Sequence, residues 1–262
     1  MRRALLRDRL PATRAPDCVL RIDLHNHTDY SPDGVLSPLR LLLLARARGL
    51  DCIAVTDHNR LEGALRCLEL AEGDSSLPRV IPGVEVRSRH GEIVGLFLER
   101  DIPAGRSALH TIDLIRAQGG IVYLPHPYDV FRRATLTPDR VEEVARHVDV
   151  IEVANGRALR AGANGKALAL AARTGARLGA GSDAHFAGEV GRCYLEVPDG
   201  AAGSGATDPC SKDDFMRLLS RARPHAPHPA WALVTAWAFA LRTGALKAAR
   251  KVRPRREIKP RL

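Results

Sequence analysis

Titratable residues in this sequence fall, with a regularity hard to reach by accident, at the C-terminal ends of short apolar runs. Val19–Leu24, Asp51–Thr56, Val80–Val86, Glu92–Leu98, Ile121–Leu124, Val148–Val153 and Leu178–Gly181 read as strands. Between most of them lie helical stretches: Ser37–Arg48, Leu61–Glu72, Ser107–Gln118, Thr137–His147 and Gly162–Thr174. Two of these open with a hydroxyl cap followed by proline, Ser37-Pro38 and Thr137-Pro138. The rhythm predicts a parallel sheet or an α/β barrel, with strands apolar enough to be covered on both faces. Polar residues at strand C-termini are where such barrels build their sites.

Composition narrows the class further. The chain has 262 residues, 45% hydrophobic and 27% charged, which excludes general disorder, collagen-like sequence and a disulfide scaffold. Its formal charge of +10 suggests a nucleic-acid binder until it is located. Residues 1–16 carry five Arg against one Asp, and residues 242–262 carry nine Arg or Lys against one Glu. Residues 17–241 hold 26 basic and 28 acidic residues, so the body is nearly neutral. Basic tails of this kind are solvated ends or weak contacts for phosphate backbones and anionic lipid.

The cysteines (18, 52, 67, 193 and 210) are odd in number and form no CxxC pair, as expected of thiols in a reducing cytoplasm. Met1–Ala15 has arginines but no apolar stretch of a secretory leader. The longest apolar run, Ala230–Leu241, falls short of the roughly 20 residues that span a bilayer. After Pro198 the chain reads as a flexible loop (199–208), a helix (Ser211–Arg223), Pro/His punctuation (224–229) and an apolar-then-basic helix (230–250). That last helix, with Trp231, Trp237 and Phe239, is read first as a barrel cap; a membrane-surface helix or an RNA-stacking patch are the other readings.

Taken singly, the chemical motifs are weak. His25-Asn26-His27 ends one strand, Asp33 sits in a plain SPDG turn, and His58 follows Asp57 at the next strand end. Glu85 lies inside an apolar strand, which is costly unless the carboxylate is paired or metal-bound. His126 sits in PHP, and Asp183 and His185 in GSDAH. Together they make eight nitrogen and oxygen ligands drawn from several strand ends. A packed core would not hold so many without balancing cations. No thiolate belongs to the set, which favours Mn, Fe or Zn in a His/carboxylate site over a structural cysteine zinc. Asp57 is either a partner that orients a ligand imidazole or the N-cap of the Leu61–Glu72 helix. Asn155 and Arg157 follow a strand end, Arg192 follows the GSDAH loop, and the two guanidinium forks suit a phosphate.

In this order, DLHNHTDYSPDG, AVTDHN, IPGVEV, LPHP, IEVANGR and GSDAH resemble the PHP (polymerase and histidinol phosphatase) family of metal-dependent phosphoesterases, above all its stand-alone bacterial branch. The resemblance covers roughly residues 19–198. It implies a distorted (β/α)7 barrel, here with a helical C-terminal extension: a basic tail (1–16), a catalytic domain (17–223), and an apolar and basic C-terminal segment (224–262). It implies two or three divalent metal ions. His25, His27, Glu85 and Asp183 would hold the first, and Glu85 would bridge to a second that His126 binds. Asp33, His58 and His185 would hold the third. Some relatives place a further His on the strand after the bridging Glu; here that strand reads GEIVGLFL, so the second site is expected to be under-ligated.

The implied activity is hydrolysis of phosphomonoesters or phosphodiesters of nucleotides or short oligonucleotides. The attacking group is expected to be a hydroxide bridging two metals, with His185, His58 or a metal-bound water assisting the leaving oxygen and Asp57 orienting a ligand imidazole. Rival readings are a histidinol- or sugar-phosphate phosphatase and a non-catalytic metal- or nucleic-acid-binding module.

Overall fold

The computed structural model describes residues 19–129, 135–158, 161–198 and 211–226. The elements follow in the order β1 (Val19–Asp23), α1 (Pro38–Ala47), β2 (Cys52–Val55), α2 (Glu62–Gly73), β3 (Arg79–Arg87), β4 (Glu92–Leu96), α3 (Ala108–Ala117) and β5 (Ile121–Leu124). Then come α4 (Pro138–Val144) with a 3₁₀ turn at Ala145–His147, β6 (Val150–Asn155), α5 (Ala161–Thr174), β7 (Arg177–Gly181), β8 (Tyr194–Pro198), α6 (Lys212–Leu219) and β9 (Arg223–His225). The Ser37 and Ser107 hydroxyls accept from the backbone N–H groups of Arg40 and His110, so both cap their helices.

The described strands form one mixed sheet in the order β7-β6-β5-β4-β3-β2-β1-β8-β9. β1–β3 run parallel, as do β5–β7, but β4 is antiparallel to both its neighbours. The purely parallel expectation therefore fails at β4. Only residues 88–91 join it to β3, too few for the crossover that a parallel pair needs. β8, for which no strand was expected, pairs antiparallel with β1, and β9 pairs with β8. The helix expected over Ser211–Arg223 ends at Leu219, and Arg223–His225 pairs as a strand across the expected domain boundary at 224. The basic tails, the loop at 199–208 and the helix at 230–250 lie outside the described residues.

Past the end of β1 the chain meets the end of β7. Leu24 N–H donates to Ala180 O (3.0 Å), Asp183 N–H to His25 O (2.7 Å), and His27 N–H to Ala184 O (2.9 Å). These bonds roll the sheet into a nearly closed barrel. Period-2 alternation then divides the apolar residues into two layers. Ile22, Leu24, Cys52, Ala54, Ile81, Val94, Leu96, Tyr123 and Ala180 fill the interior. Ile53, Val55, Val84, Val86 and Val122 face outward against Leu41, Leu42, Ile112 and Ile115 of the helices. At the end away from the histidines, Phe215, Leu218 and Leu219 of α6 join the inner layer, and Phe215 packs edge-on against Phe97 at 5.3 Å. Among the described residues α6 thus closes the barrel floor, and no helix is long and apolar enough to cross a membrane.

Candidate metal centre

Above the inner apolar layer the barrel turns polar. His25, His27, Glu85, His126, Asp183 and His185 are all at most 3% exposed, although each bears a group that water would solvate well. Glu85 is central. Its carboxylate lies 3.5 Å from His25 Nε2, 3.4 Å from His27 Nε2, 3.0 Å from His58 Nδ1 and 3.0 Å from His126 Nε2. Asp183 Oδ1 faces the same two rings, 3.8 Å from His25 Nε2 and 3.4 Å from His27 Nε2. A second focus forms around Asp33 Oδ1, 3.6 Å from His58 Nε2 and 3.5 Å from His185 Nε2.

Most of these separations exceed a hydrogen bond. They suit donors around a shared cation, because two ligands each about 2.1 Å from one ion sit roughly 3.0–3.5 Å apart. His25 Nε2 and His27 Nε2 are buried and have no hydrogen-bond partner. Buried orphan nitrogens are expensive unless something fills the space between them. The side chains therefore fit divalent cations, and four groups of three such residues each bring their ligand atoms within 4.8 Å of one another.

Three of the imidazoles, those of His25, His27 and His185, are held from behind. His25 Nδ1 lies 3.2 Å from Glu152, which also accepts from Tyr123 OH (2.8 Å), His126 N–H (2.6 Å) and the Asn155 amide (2.9 Å). With Nδ1–H donating to that carboxylate, Nε2 keeps its lone pair toward Glu85 and Asp183. On His27 the same work falls to Ser31. Its hydroxyl donates to Asp57 (2.6 Å) and accepts from His58 N–H (3.0 Å), so His27 Nδ1, 3.2 Å away, must be the donor in that pair. His185 Nδ1 lies 2.8 Å from the Asp183 carbonyl.

Backbone strain marks the same place: His126 (φ 28°) and Asp183 (φ 53°) adopt left-handed conformations that a non-glycine residue seldom takes. Gly181 provides the close approach, since a Cβ there would stand 2.3 Å from His25 Cβ and 2.8 Å from Glu152 Oε1.

The charges are strongly coupled. Burial disfavours a charged His25, yet Asp183, Glu85 and Glu152 hold its proton well above the usual histidine range. Against the same penalty, Glu85, with Asp33 and Glu92, raises His58 to about 9. Burial and the neighbouring His185 push His27 down to about 3. Although burial works against its ionisation, His25 and His58 hold Glu85 well below the carboxylate range.

The eight ligand candidates, His25, His27, Asp33, His58, Glu85, His126, Asp183 and His185, thus converge at one end of the barrel. Asp57 lies beside them, but the N-cap of α2 is Leu61, with no side-chain cap bond, so Asp57 does not cap it. It accepts instead from Thr28 N–H (2.7 Å), Thr28 OH (2.6 Å) and Ser31 OH (2.6 Å), fixing the loop that carries His27. Arg157 reaches the site, with Nη1 2.8 Å from His185 Nδ1 and Nε 3.3 Å from Glu189. The Asn155 amide turns inward, donating to Glu152 and to Asp183 (3.2 Å). The Arg192 guanidinium is bound to the Gly188 carbonyl.

Sequence reasoning did not assign Glu152, Ser31, Glu189 or Glu92 to the site. Glu152 carried the same signal as Glu85, a carboxylate inside an apolar strand.

A rolled α/β sheet with imidazoles and carboxylates clustered at one end is the architecture of a barrel that can hold divalent cations at its mouth. The chain belongs to the PHP family: residues 23–148 match the PHP domain, and residues 161–224 match the PHP-associated C-terminal region. It is 34% identical over 203 residues to an uncharacterised protein of Methanocaldococcus jannaschii, covering 76% of this chain and 79% of the relative. Two solved structures share the fold. A two-domain protein containing a predicted PHP-like metal-dependent phosphoesterase, from Bacteroides vulgatus, has a TM-score of 0.61 at 20% identity, with 81% of this chain and 66% of that one covered. This chain therefore spans about two thirds of that protein. PsfC of Pseudomonas syringae has a TM-score of 0.62 at 19% identity, with 85% of this chain and 98% of that one covered.

Proposed function

We propose that this protein hydrolyses phosphoesters, phosphomonoesters or phosphodiesters of nucleotides or short oligonucleotides, with two or three divalent cations (Mn, Fe or Zn) at the mouth of the barrel. The observation that carries this reading is the pair of buried, unpartnered nitrogens, His25 Nε2 and His27 Nε2, facing the Glu85 and Asp183 carboxylates. His25, His27, Glu85 and Asp183 would hold one cation, Glu85 and His126 a second, and Asp33, His58 and His185 a third. Bound there, the cations would supply Lewis acidity toward phosphoryl oxygens and a water of lowered pKa.

The chain's own residues set the stage. Glu152 and the Asp57–Ser31 pair fix the tautomers of His25 and His27, so that ligand lone pairs are presented without rearrangement. Arg157, only 14% exposed on its side chain, offers a fork-shaped cation beside His185, with Nε held by Glu189 and Nη1 left to meet a phosphoryl oxygen. Asn155 holds Glu152 and Asp183 in place. The basic tails at 1–16 and 242–262 raise the local concentration of polyanionic substrate.

The test is a substrate panel on the full chain, stripped with chelator and then reconstituted separately with Mn, Fe and Zn. A 5′-phosphorylated oligonucleotide, nucleoside monophosphates, histidinol phosphate and sugar phosphates would be compared. Metal-dependent turnover on nucleotide substrates is expected. Preference for histidinol or sugar phosphates would replace the substrate class. Metal uptake without hydrolysis of any phosphoester would leave a binding module.

A further inference from the structure

The strand after Glu85 carries no histidine, and of the eight ligand candidates only Glu85 and His126 are assigned above to the second cation. The structure places a carboxylate there instead. Glu92 opens β4, which pairs antiparallel with β3 in a register that sets Arg87 opposite Glu92 and Glu85 opposite Val94. Alternation along β4 points Glu92, Val94 and Leu96 the same way, and Val94 and Leu96 belong to the barrel interior. Glu92 therefore faces inward at the rim, only 8% exposed.

Its two oxygens reach the rings that Glu85 also reaches. Oε1 lies 3.8 Å from His58 Nδ1, and Oε2 lies 3.8 Å from His126 Nε2. Glu85 sits 3.0 Å from each of those nitrogens. Glu92 is thus too far for hydrogen bonding to either ring and is placed where a donor to a common cation would be. His58, Glu85 and Glu92 present ligand atoms within 4.8 Å of one another.

We infer that Glu92 is a ligand of the second cation, completing with Glu85 and His126 a site of two carboxylates and one imidazole. This rests on the metal-dependent reading above and deepens it. Two carboxylates neutralise a divalent charge that a His-rich set would leave uncompensated. Oxygen ligands also favour the harder cations, Mn²⁺ above Zn²⁺, since imidazole suits zinc and carboxylate suits manganese and magnesium. Glu92 is in this sense a determinant of metal choice.

The experiment uses the full chain, demetallated, as wild type, Glu92→Gln and Glu92→His. Mn²⁺ binding is followed by the loss of the free-ion EPR signal, Zn²⁺ binding by competition with a chromophoric chelator, and folding by thermal melts of the metal-free proteins. Glu92→Gln removes a like charge from a crowded anionic cluster, so its metal-free melting temperature should equal or exceed that of wild type.

Glu92→Gln should bind one Mn²⁺ fewer, or bind its second ion at least 10–100-fold more weakly, the loss that even outer ligand supports produce, at about that scale. Glu92→His should recover the stoichiometry while shifting the Mn/Zn preference toward zinc by about tenfold or more, one imidazole having replaced one carboxylate. Wild-type stoichiometry and affinities in Glu92→Gln, or an unchanged Mn/Zn ratio in Glu92→His, would overturn the assignment. Should Glu92→Gln fail to fold, the Glu92→His ratio alone decides. A wild-type protein that takes up no cation at all would instead sink the functional reading itself.

Discussion

Glu152 Oε1 lies 3.2 Å from His25 Nδ1, on the opposite side of the ring from Glu85 and Asp183. One carboxylate thereby fixes the tautomer of a ligand whose other nitrogen faces two more. Because Glu152 also accepts from Tyr123, His126 N–H and Asn155, it joins β5, β6 and the His126 turn behind the metal centre.

Glu152→Gln keeps the shape but gives these four donors one fewer acceptor oxygen and a competing N–H₂. Cation affinity should fall about 10–100-fold, the usual cost of losing a ligand's support. Stability should fall by about 1–3 kcal/mol, the penalty of buried donors left unsatisfied. Mn²⁺ titration and urea unfolding measure the two effects, and wild-type affinity in the variant would remove Glu152 from its supporting role.

Asp57 and Ser31 should separate loop anchoring from ligand orientation. Asp57→Ala strands three buried donors and should destabilise the fold by roughly 2–4 kcal/mol. Ser31→Ala removes one hydroxyl, so its stability loss should be near about 1 kcal/mol while the His27 ring loses its partner. Urea melts beside Mn²⁺ titrations check the pair: equal stability losses with unchanged cation affinity would refute the chain Asp57–Ser31–His27.

Much of this centre was legible in the sequence, for a reason visible in the strands. His25, His58, His126 and Asp183 each end a strand of the barrel wall, so strand order alone delivers them to one rim. Glu85 was legible because a carboxylate inside IPGVEV has no apolar justification. Glu152 sent the same signal from IEVAN, but its partners, Tyr123 and His25, are distant in sequence and nothing local named them. Glu92 was hidden differently: at the first position of a strand, next to Gly91, a glutamate reads as surface, and only the antiparallel course of β4 turns that end toward the rim. Direction is invisible to hydrophobic period, which is why β4 was not anticipated as antiparallel, whereas β8 and β9 were not anticipated as strands at all.

Two glycine substitutions offer a contrast in packing. Gly181→Ala drives a methyl into His25 Cβ (2.3 Å) and Glu152 Oε1 (2.8 Å), with backbone atoms also close. It should cost about 1–3 kcal/mol or more and weaken cation binding with it. Gly162→Ala, on α5 with nothing within 4 Å of the new Cβ, should be neutral or stabilise by up to about 1 kcal/mol. Paired denaturant melts decide, and equal effects at both sites would contradict the packing described around His25.

Protons and cations should compete for the centre. With metal absent, His58 titrates near 9 and His25 above the usual histidine range. A histidine whose folded pKa is raised contributes stability in full below its unfolded pKa of about 6.5 and loses it as pH rises through the folded value. The metal-free protein should therefore melt at lower temperature at pH 9 than at pH 6. Cation binding requires those same nitrogens deprotonated, so Mn²⁺ affinity should rise over this interval, with protons released on binding. Melts in chelator and in excess Mn²⁺ across pH 6–9 test the opposed trends; parallel curves would contradict the coupling.

Arg157 poses the sharpest geometric question at the mouth. Its Nη1 and the Asp183 carbonyl each lie 2.8 Å from His185 Nδ1, but one ring nitrogen cannot accept from a guanidinium and donate to a carbonyl at once. If His185 ligates through Nε2, its proton sits on Nδ1 and belongs to the Asp183 carbonyl. Arg157 Nη1 then turns from the ring toward a phosphoryl oxygen, while Nε keeps its contact with Glu189. Arg157→Ala should raise KM for a phosphoester about tenfold or more and weaken inhibition by inorganic phosphate in parallel, with cation stoichiometry unchanged. Arg157→Lys should restore little, because a point charge cannot hold Glu189 and a phosphate together as a planar fork does. Steady-state kinetics with phosphate as competitor separates the cases: wild-type KM and phosphate inhibition in Arg157→Ala would confine this residue to a structural pairing with Glu189.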